Sequence, residues 1–124
     1  MRSVRAAALV GGLFAATGAL AQEAVPVGPD EVQKALVGKV WEVELPDGRP
    51  AVEYFNADGT VTITGGLNDR GNWRLWEKGY CTQWYRMRRG AERCFTIDRT
   101  AEGHFRVYKP DGEISMTILS TKPQ

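Results

Sequence analysis

The sequence predicts an all-β protein, an eight-stranded antiparallel up-and-down meander closing as a small barrel, with one short N-terminal helix. Three observations support this prediction. After Gly38, apolar and polar residues alternate with a period of two. Seven turn signals separate eight runs of about six residues each. Every connection is too short for a crossover helix, so neighbouring strands must be antiparallel. The meander either closes or remains a strongly curved sheet, and closure removes its exposed edges.

The composition of the chain excludes several classes of protein. The chain has 124 residues, which suits one domain, and it is 43% hydrophobic and 25% charged. This balance excludes a disordered chain and a membrane protein with several spans. The formal net charge of +1 argues against a strongly basic nucleic-acid binder. With a single histidine and two cysteines, the chain offers no histidine-rich metal site, and we expect neither a metal nor a cofactor.

Residues 1–21 have the pattern of a secretory signal peptide. Arg2 and Arg5 give a positive start, an apolar stretch follows, and Ala19-Leu20-Ala21 has the small-x-small pattern of a cleavage site. The apolar stretch of ~15 residues is shorter than the ~20 that a membrane-spanning helix needs. We therefore expect cleavage after Ala21, no membrane span, and a periplasmic or secreted protein. The mature chain would carry a formal charge of −1.

The segment between the leader and the first strand divides into two parts. Residues 22–28 show no periodicity and predict a flexible lead-in. Residues 29–37 predict a short helix, because Pro29 suits the first helical position and two acids follow it at the positive end of the helix dipole. Gly38 is a typical residue just beyond a helix end. The barrel domain is predicted to span residues 38–120.

Within the barrel, alternation separates an inward from an outward face. The predicted inward residues are Trp41, Val43, Leu45, Val52, Tyr54, Val61, Ile63, Trp73, Leu75, Thr82, Trp84, Phe95, Ile97, Phe105, Val107, Ile114, Met116 and Ile118. The predicted outward face includes Glu42, Glu44 and Glu53. Since the interior contains many aromatic rings and almost no polar group, we expect a filled core in preference to a ligand cavity.

Cys81 and Cys94 are the two cysteines of the chain, and in an exported protein they predict a disulfide. A tight turn at Arg89-Gly90 would leave Cys81 ~13 Å from its partner, beyond disulfide reach. Facing cysteines require the hairpin to centre near Met87-Arg88. The bridge therefore predicts a wide, irregular tip over residues 86–91, and the alternation places the bond on the outer face.

The hairpin tip carries most of the functional signal in the sequence. Residues 78–99 contain six basic and two acidic residues, whereas residues 23–58 contain eight acidic and three basic ones. The candidate partner-binding residues are Tyr85, Arg86, Arg88, Arg89 and Arg93. Guanidinium groups suit carboxylates and phosphates, so the tip is a candidate for binding an anionic or protein partner. A solvated, arginine-rich loop without a partner is the alternative interpretation.

No catalytic constellation is evident. The sequence brings no pair of acidic residues together for acid–base chemistry, and no serine lies in a nucleophile motif. We therefore expect a monomeric, non-enzymatic protein that does not bind nucleic acid.

Short motifs carry a resemblance to a known group. Gly71-Asn72-Trp73, Cys81-x-x-Trp84 and Arg93-Cys94-Phe95 resemble the G-x-W, C-x-x-W and R-C-[FY] pattern of small secreted alphaproteobacterial proteins of unknown function. The layout, with Gly38-x-x-Trp41 opening the first strand, is similar to calycin barrels such as lipocalins. The resemblance implies a periplasmic barrel and carries over no catalytic residue.

The sequence is compatible with three functions. The leading hypothesis is a periplasmic binding module that uses the disulfide-braced, arginine-rich hairpin. The alternatives are a lipocalin-like carrier of a small apolar ligand, which requires an interior cavity, and an inhibitor of a cell-wall-active enzyme, which requires a rigid exposed loop.

Overall fold

A computed structural model describes residues 24–124 of the chain. The predicted leader and its cleavage site lie outside the described residues. The elements are β1 (Val25–Pro26), α1 (Pro29–Ala35), β2 (Lys39–Glu44), β3 (Pro50–Phe55), β4 (Thr60–Gly65), β5 (Asp69–Trp76), β6 (Gly79–Trp84), β7 (Glu92–Arg99), β8 (Phe105–Tyr108) and β9 (Ile114–Pro123). A 3-10 turn, Met87–Gly90, lies between β6 and β7.

Strands β2 to β9 form a closed antiparallel barrel. Each strand pairs with the next along the chain, and β9 returns to pair with β2. This confirms the predicted fold class of an eight-stranded barrel with one short helix. The two-residue β1 pairs with β7 at Asp98 and Arg99, and Val27, which follows it, is buried. Part of the segment expected to be flexible is therefore ordered against the barrel.

Helix α1 is shorter than predicted and covers one end of the barrel. It ends at Ala35, two residues before the predicted boundary, because the chain then turns through Gly38, whose N–H donates to the carbonyl of Phe55. Val32 and Leu36 pack into the core, and the indole N–H of Trp41 donates to the Leu36 carbonyl at 2.9 Å. The helix and the start of β2 thus close this end together.

Aromatic rings fill the half of the barrel nearest α1. Trp41 and Phe55 stack with ring centroids 3.9 Å apart, and the ring of Tyr80 meets both edge-on. Phe95 and Trp73 extend the cluster. The predicted filled core is present in this half, where burial of large apolar side chains stabilises the fold.

The predicted faces of β3 are wrong. The structure buries Ala51, Glu53 and Phe55, whereas Tyr54, expected inside, is exposed. The β2–β3 turn causes this, since its register places Glu53 opposite Trp41, and directly opposed residues share one face of a sheet. A buried carboxylic acid thereby enters the barrel interior.

Two smaller differences concern other strands. Tyr80 at the start of β6 is buried, although it was absent from the predicted inward set. Ile114 was expected inside, but it is 40% exposed at the start of β9. The β8–β9 ladder has an irregularity between Val107 and Tyr108, and this shift removes Ile114 from the inward alternation.

Candidate functional site

The half of the barrel away from α1 contains a cavity. Its volume is about 310 Å³, and it opens between the β2–β3, β4–β5 and β6–β7 connections. The apolar part of its lining consists of Leu45, Pro46, Ile63, Leu67, Trp84, Met87, Phe95 and Met116. The expectation of a fully filled core is therefore wrong for this half. Side chains from the loops leave a space within the range of small-molecule pockets.

Glu53 faces this cavity from β3. Its side chain is only 1% exposed, and its Oε1 atom has no hydrogen-bond partner among residues 24–124. Burial raises the pKa of Glu53 from 4.5 to about 8, because the charged form loses its hydration. At neutral pH the carboxyl group therefore carries a proton and can donate one hydrogen bond to a ligand.

Two hydroxyl groups on β6 line the same cavity. Tyr80 and Thr82 are buried at alternate positions and so share the inward face. Burial raises the pKa of Tyr80, and the nearby carboxyl of Glu53 raises it further, while the charge of Arg88 acts in the opposite direction. The phenol thus stays neutral, as a hydrogen-bonding group deep in the cavity.

Arg88 brings a positive charge from the hairpin tip into the cavity. Its Nη2 donates to Thr82 Oγ1 at 3.3 Å, and its guanidinium lies 5.8 Å from the ring centroid of Phe95. Its Nε is buried and has no hydrogen-bond partner in the described part of the chain. Burial, followed by the neighbouring charge of Arg93, lowers the pKa of Arg88, but a guanidinium remains protonated in proteins. The cavity therefore contains a cation.

Asp69 holds the tip against the barrel. Its side chain is 2% exposed and accepts hydrogen bonds from the backbone N–H groups of Arg70 (2.8 Å), Arg86 (3.0 Å) and Met87 (2.8 Å). Burial alone would raise the pKa of Asp69, but the three donors outweigh it, and the pKa lies below its ordinary value. The ionised carboxylate thus fixes the chain immediately before Arg88.

The tip backbone adopts an uncommon conformation. Arg88 and Arg89 both have φ of 54°, in the left-handed region that costs non-glycine residues roughly 1–2 kcal/mol each. The surrounding contacts hold this conformation: besides Asp69, the Gln83 side chain donates to the Gly90 carbonyl at 2.8 Å. The left-handed pair turns the chain so that Arg88 lies inside the mouth and Arg89 outside.

The five predicted partner-binding residues do not form one surface. Tyr85 is 73% exposed, and Arg89 is exposed as well. Arg86 is exposed but donates to the Asn68 carbonyl at 2.8 Å. Arg93 is half-buried, and Arg88 lines the cavity. The structure therefore divides the arginines between an outer face and the barrel interior.

The cysteines occupy the positions that the bridge predicts. Cys81 and Cys94 lie directly opposite each other on β6 and β7, with their sulfur atoms at bonding distance. The hairpin centres on Met87 and Arg88, and its tip is irregular, as expected. Glu92 also lies near both sulfurs, but cysteines joined to each other are not free to bind a metal.

Along residues 24–124, no helix has the length and apolar character needed to cross a membrane.

The fold and the site together define a small closed barrel with a cavity at one end. Comparison with models of known families, with curated proteins and with solved structures found no match to the chain. The resemblance to small secreted alphaproteobacterial proteins and to calycins therefore stays a prediction. The evidence for a function therefore comes from the site itself.

Sequence reasoning missed Glu53 and Tyr80 as cavity residues. Pro46-Asp47-Gly48 is one of the seven turn signals of the sequence, and centring the hairpin on it pairs Trp41 with Glu53. Since Trp41 was correctly placed inside, this register was the signal that could have placed Glu53 inside too. For Arg88 no comparable signal exists, because its direction depends on contacts of the tip with Asp69 and Thr82.

Proposed function

We propose that the protein binds a small molecule with an apolar body inside the barrel, and that it does so without catalysis. The observation that carries the proposal is the cavity of about 310 Å³, walled by apolar side chains and closed at the opposite end by α1. Polar side chains also line it, Glu53, Tyr80, Thr82 and Arg88 among them, and such groups orient a ligand in a binding site. This is the lipocalin-like function among the three that the sequence left open.

The unpaired polar atoms support binding further. A buried polar group without a partner costs free energy, roughly 1–3 kcal/mol. Within the residues that the structure describes, Glu53 Oε1 and Arg88 Nε are both without a partner, and both residues line the cavity. A ligand that supplies the missing partners would recover part of this cost on binding.

Filling the cavity tests the proposal. Leu67 lines the mouth from the β4–β5 connection, and Leu67→Trp would place an indole in the opening. We expect N-phenyl-1-naphthylamine to bind the unaltered protein with increased fluorescence, and to bind Leu67→Trp about tenfold more weakly or not at all. Leu119→Trp, the same change at an exposed position of β9, is the control. Absence of probe binding, together with no co-purifying ligand in native mass spectrometry, would contradict the proposal.

A second candidate rests on the outer face of the tip. Tyr85 is the most exposed of the large apolar side chains described, and Arg86 and Arg89 are exposed near it. An acidic protein partner, such as a cell-wall-active enzyme inhibited by the barrel, would fit this face.

Neutralising the exposed Arg86 and Arg89 together, with Arg88 kept in the cavity, is expected to abolish capture of such a partner from periplasmic extract. Unchanged capture, and no inhibition in a screen of lysozymes, would rule the second candidate out.

The location of the protein is part of the proposal. We propose that it is exported and cleaved after Ala21, so that N-terminal sequencing of periplasmic material should begin at Gln22. The paired cysteines are compatible with an oxidising compartment.

A further inference from the structure

We infer that the ligand is a single-chain carboxylate that binds with its head group inward, between the guanidinium of Arg88 and the carboxyl group of Glu53. This inference rests on the proposed function, since it names the ligand class for the same cavity. It is drawn from the hydrogen-bonding capacity, the charge and the position of the groups that line the space.

The guanidinium of Arg88 has more N–H donors than hydrogen-bond partners within residues 24–124. A guanidinium has five N–H donors, whereas that of Arg88 makes one hydrogen bond within residues 24–124, to Thr82, and forms no ion pair with the carboxylates of that region. Partial burial disfavours this cation, and the charge of nearby Asp69 offsets that cost only in part, since the pKa of Arg88 still lies below its ordinary value. A carboxylate satisfies both requirements, because its two oxygens match the fork of a guanidinium.

The other ionisable side chains that line the cavity are paired or neutral. Asp47 and Arg49 stand at the rim and form an ion pair with each other at 2.6 Å, so they largely cancel. Glu53 holds its proton at neutral pH, and Tyr80 is neutral. The interior is therefore positive through Arg88, which favours an anion and disfavours an amine.

The positions of the lining residues indicate the direction in which the ligand lies. Glu53 pairs with Trp41, whose ring belongs to the aromatic cluster at the closed end, so Glu53 lies in the deeper part of the cavity, and the guanidinium of Arg88 reaches inward from the tip to Thr82 at 3.3 Å. Leu45, Leu67 and Met87 belong to the open end and are apolar. An apolar chain would thus extend from the head group towards the mouth, which suits one chain better than two in about 310 Å³.

A matched series of ligands tests the head group. Decanoate, decanol and decylamine share one chain and differ in charge, and their binding would be measured by calorimetry at about pH 6.5, where Glu53 keeps its proton. We expect decanoate to bind the unaltered protein about tenfold or more tightly than decanol, through charge-assisted hydrogen bonds. Decylamine should bind no more tightly than decanol.

Arg88→Met tests the residue. It keeps most of the length of the side chain and removes its charge, and we expect decanoate affinity to fall to that of decanol while decanol binding is retained. Arg89→Met is the matched control, because Arg89 has the same φ and the same charge but an exposed side chain. It should leave the preference for decanoate unchanged.

The outcomes separate the two proposals. Equal binding of the three ligands, or a preference for decylamine, would overturn the carboxylate inference while leaving the cavity as a binding site. A decanoate preference that survives Arg88→Met would overturn the role of Arg88. If none of the three ligands binds but N-phenyl-1-naphthylamine does, the carboxylate inference fails and the proposed function stands, whereas absence of binding by all four compounds, together with no co-purifying ligand, overturns both. The comparison of ligands on the unaltered protein decides the question even if a variant does not fold.

Discussion

Burial of Glu53 inside the barrel makes the stability of the protein depend on pH. The unfolded chain loses the proton of this carboxyl group near pH 4.5, whereas the native protein keeps it until about pH 8. Between these values the native state binds more protons, so the free energy of unfolding falls as the pH rises. Above about pH 8 this contribution no longer changes. The same carboxyl group that is available to a ligand therefore destabilises the empty barrel at neutral pH.

Glu53→Gln is expected to remove this dependence. The variant should lose the decline in unfolding free energy between about pH 4.5 and 8, a difference on the order of 3 kcal/mol by pH 7. Urea unfolding followed by tryptophan fluorescence at a series of pH values measures it. Glu42→Gln is the control, since Glu42 is exposed and its hydrogen bond to Ser120 lowers its pKa. Equal slopes for the unaltered protein and Glu53→Gln would contradict the assignment.

The approach of β5 to β6 explains why a glycine begins the Gly71-Asn72-Trp73 motif. Gly71 pairs with Trp84, and a Cβ atom built on it would overlap the Gln83 carbonyl oxygen and lie 2.8 Å from the Cα of Trp84. These contacts are with backbone atoms, which cannot move aside without separating the strands. The conformational freedom of glycine is not needed here, but its lack of a side chain is.

Gly71→Ala is accordingly expected to destabilise the protein by about 1–3 kcal/mol through overpacking. Gly28→Ala provides the comparison, because a Cβ at Gly28 meets no atom within 4 Å and the φ of Gly28 is −88°. Thermal unfolding of both variants should show a lower Tm for Gly71→Ala alone. A Tm for Gly71→Ala within experimental error of the unaltered protein would show that β5 can shift freely.

The strands show which parts of the fold can be predicted from the sequence. Alternation correctly placed Trp41, Ile63 and Ile97 inside, because each of these strands has apolar residues on one face and polar residues on the other. It failed in β3, where Ala51, Val52, Tyr54 and Phe55 put apolar residues on both faces. There the hairpin register decided the face, and it buried the carboxylic acid.

The site was harder to predict from the sequence than the fold, for a related reason. The tip residues were recognised by their charge, but charge does not indicate direction. Arg88 lies in the cavity because Asp69, 19 positions earlier in the chain, binds the backbone N–H of the preceding Met87. Contacts between residues so far apart leave no local pattern in the sequence, whereas the cysteine pair, which fixes the register of β6 and β7, does.

The cysteine bridge braces the hairpin that carries the tip, and its removal is expected to weaken the entire barrel. The two residues are 13 positions apart, and a loop of this size corresponds to about 3 kcal/mol. Cys81→Ala combined with Cys94→Ala should lower the Tm by roughly 10 °C or more, because the barrel unfolds cooperatively.

Reducing agent distinguishes the bridge from the packing of the sulfur atoms. It should lower the Tm of the unaltered protein and leave that of the double variant unchanged. If it lowers neither, the cysteines are not joined in solution.

Closure of the barrel by β2 and β9 also bears on how the protein reaches its native state. Glu42 and Ser120, hydrogen-bonded across this seam, are 78 positions apart. Until the two strands meet, β2 and β9 have free edges and the cavity has no complete wall. Such distant pairing makes folding slow compared with helical proteins. An incompletely folded chain therefore has neither the complete cavity nor protected strand edges, and a ligand of the proposed kind that binds only the closed barrel would shift the last folding step towards the native state by mass action.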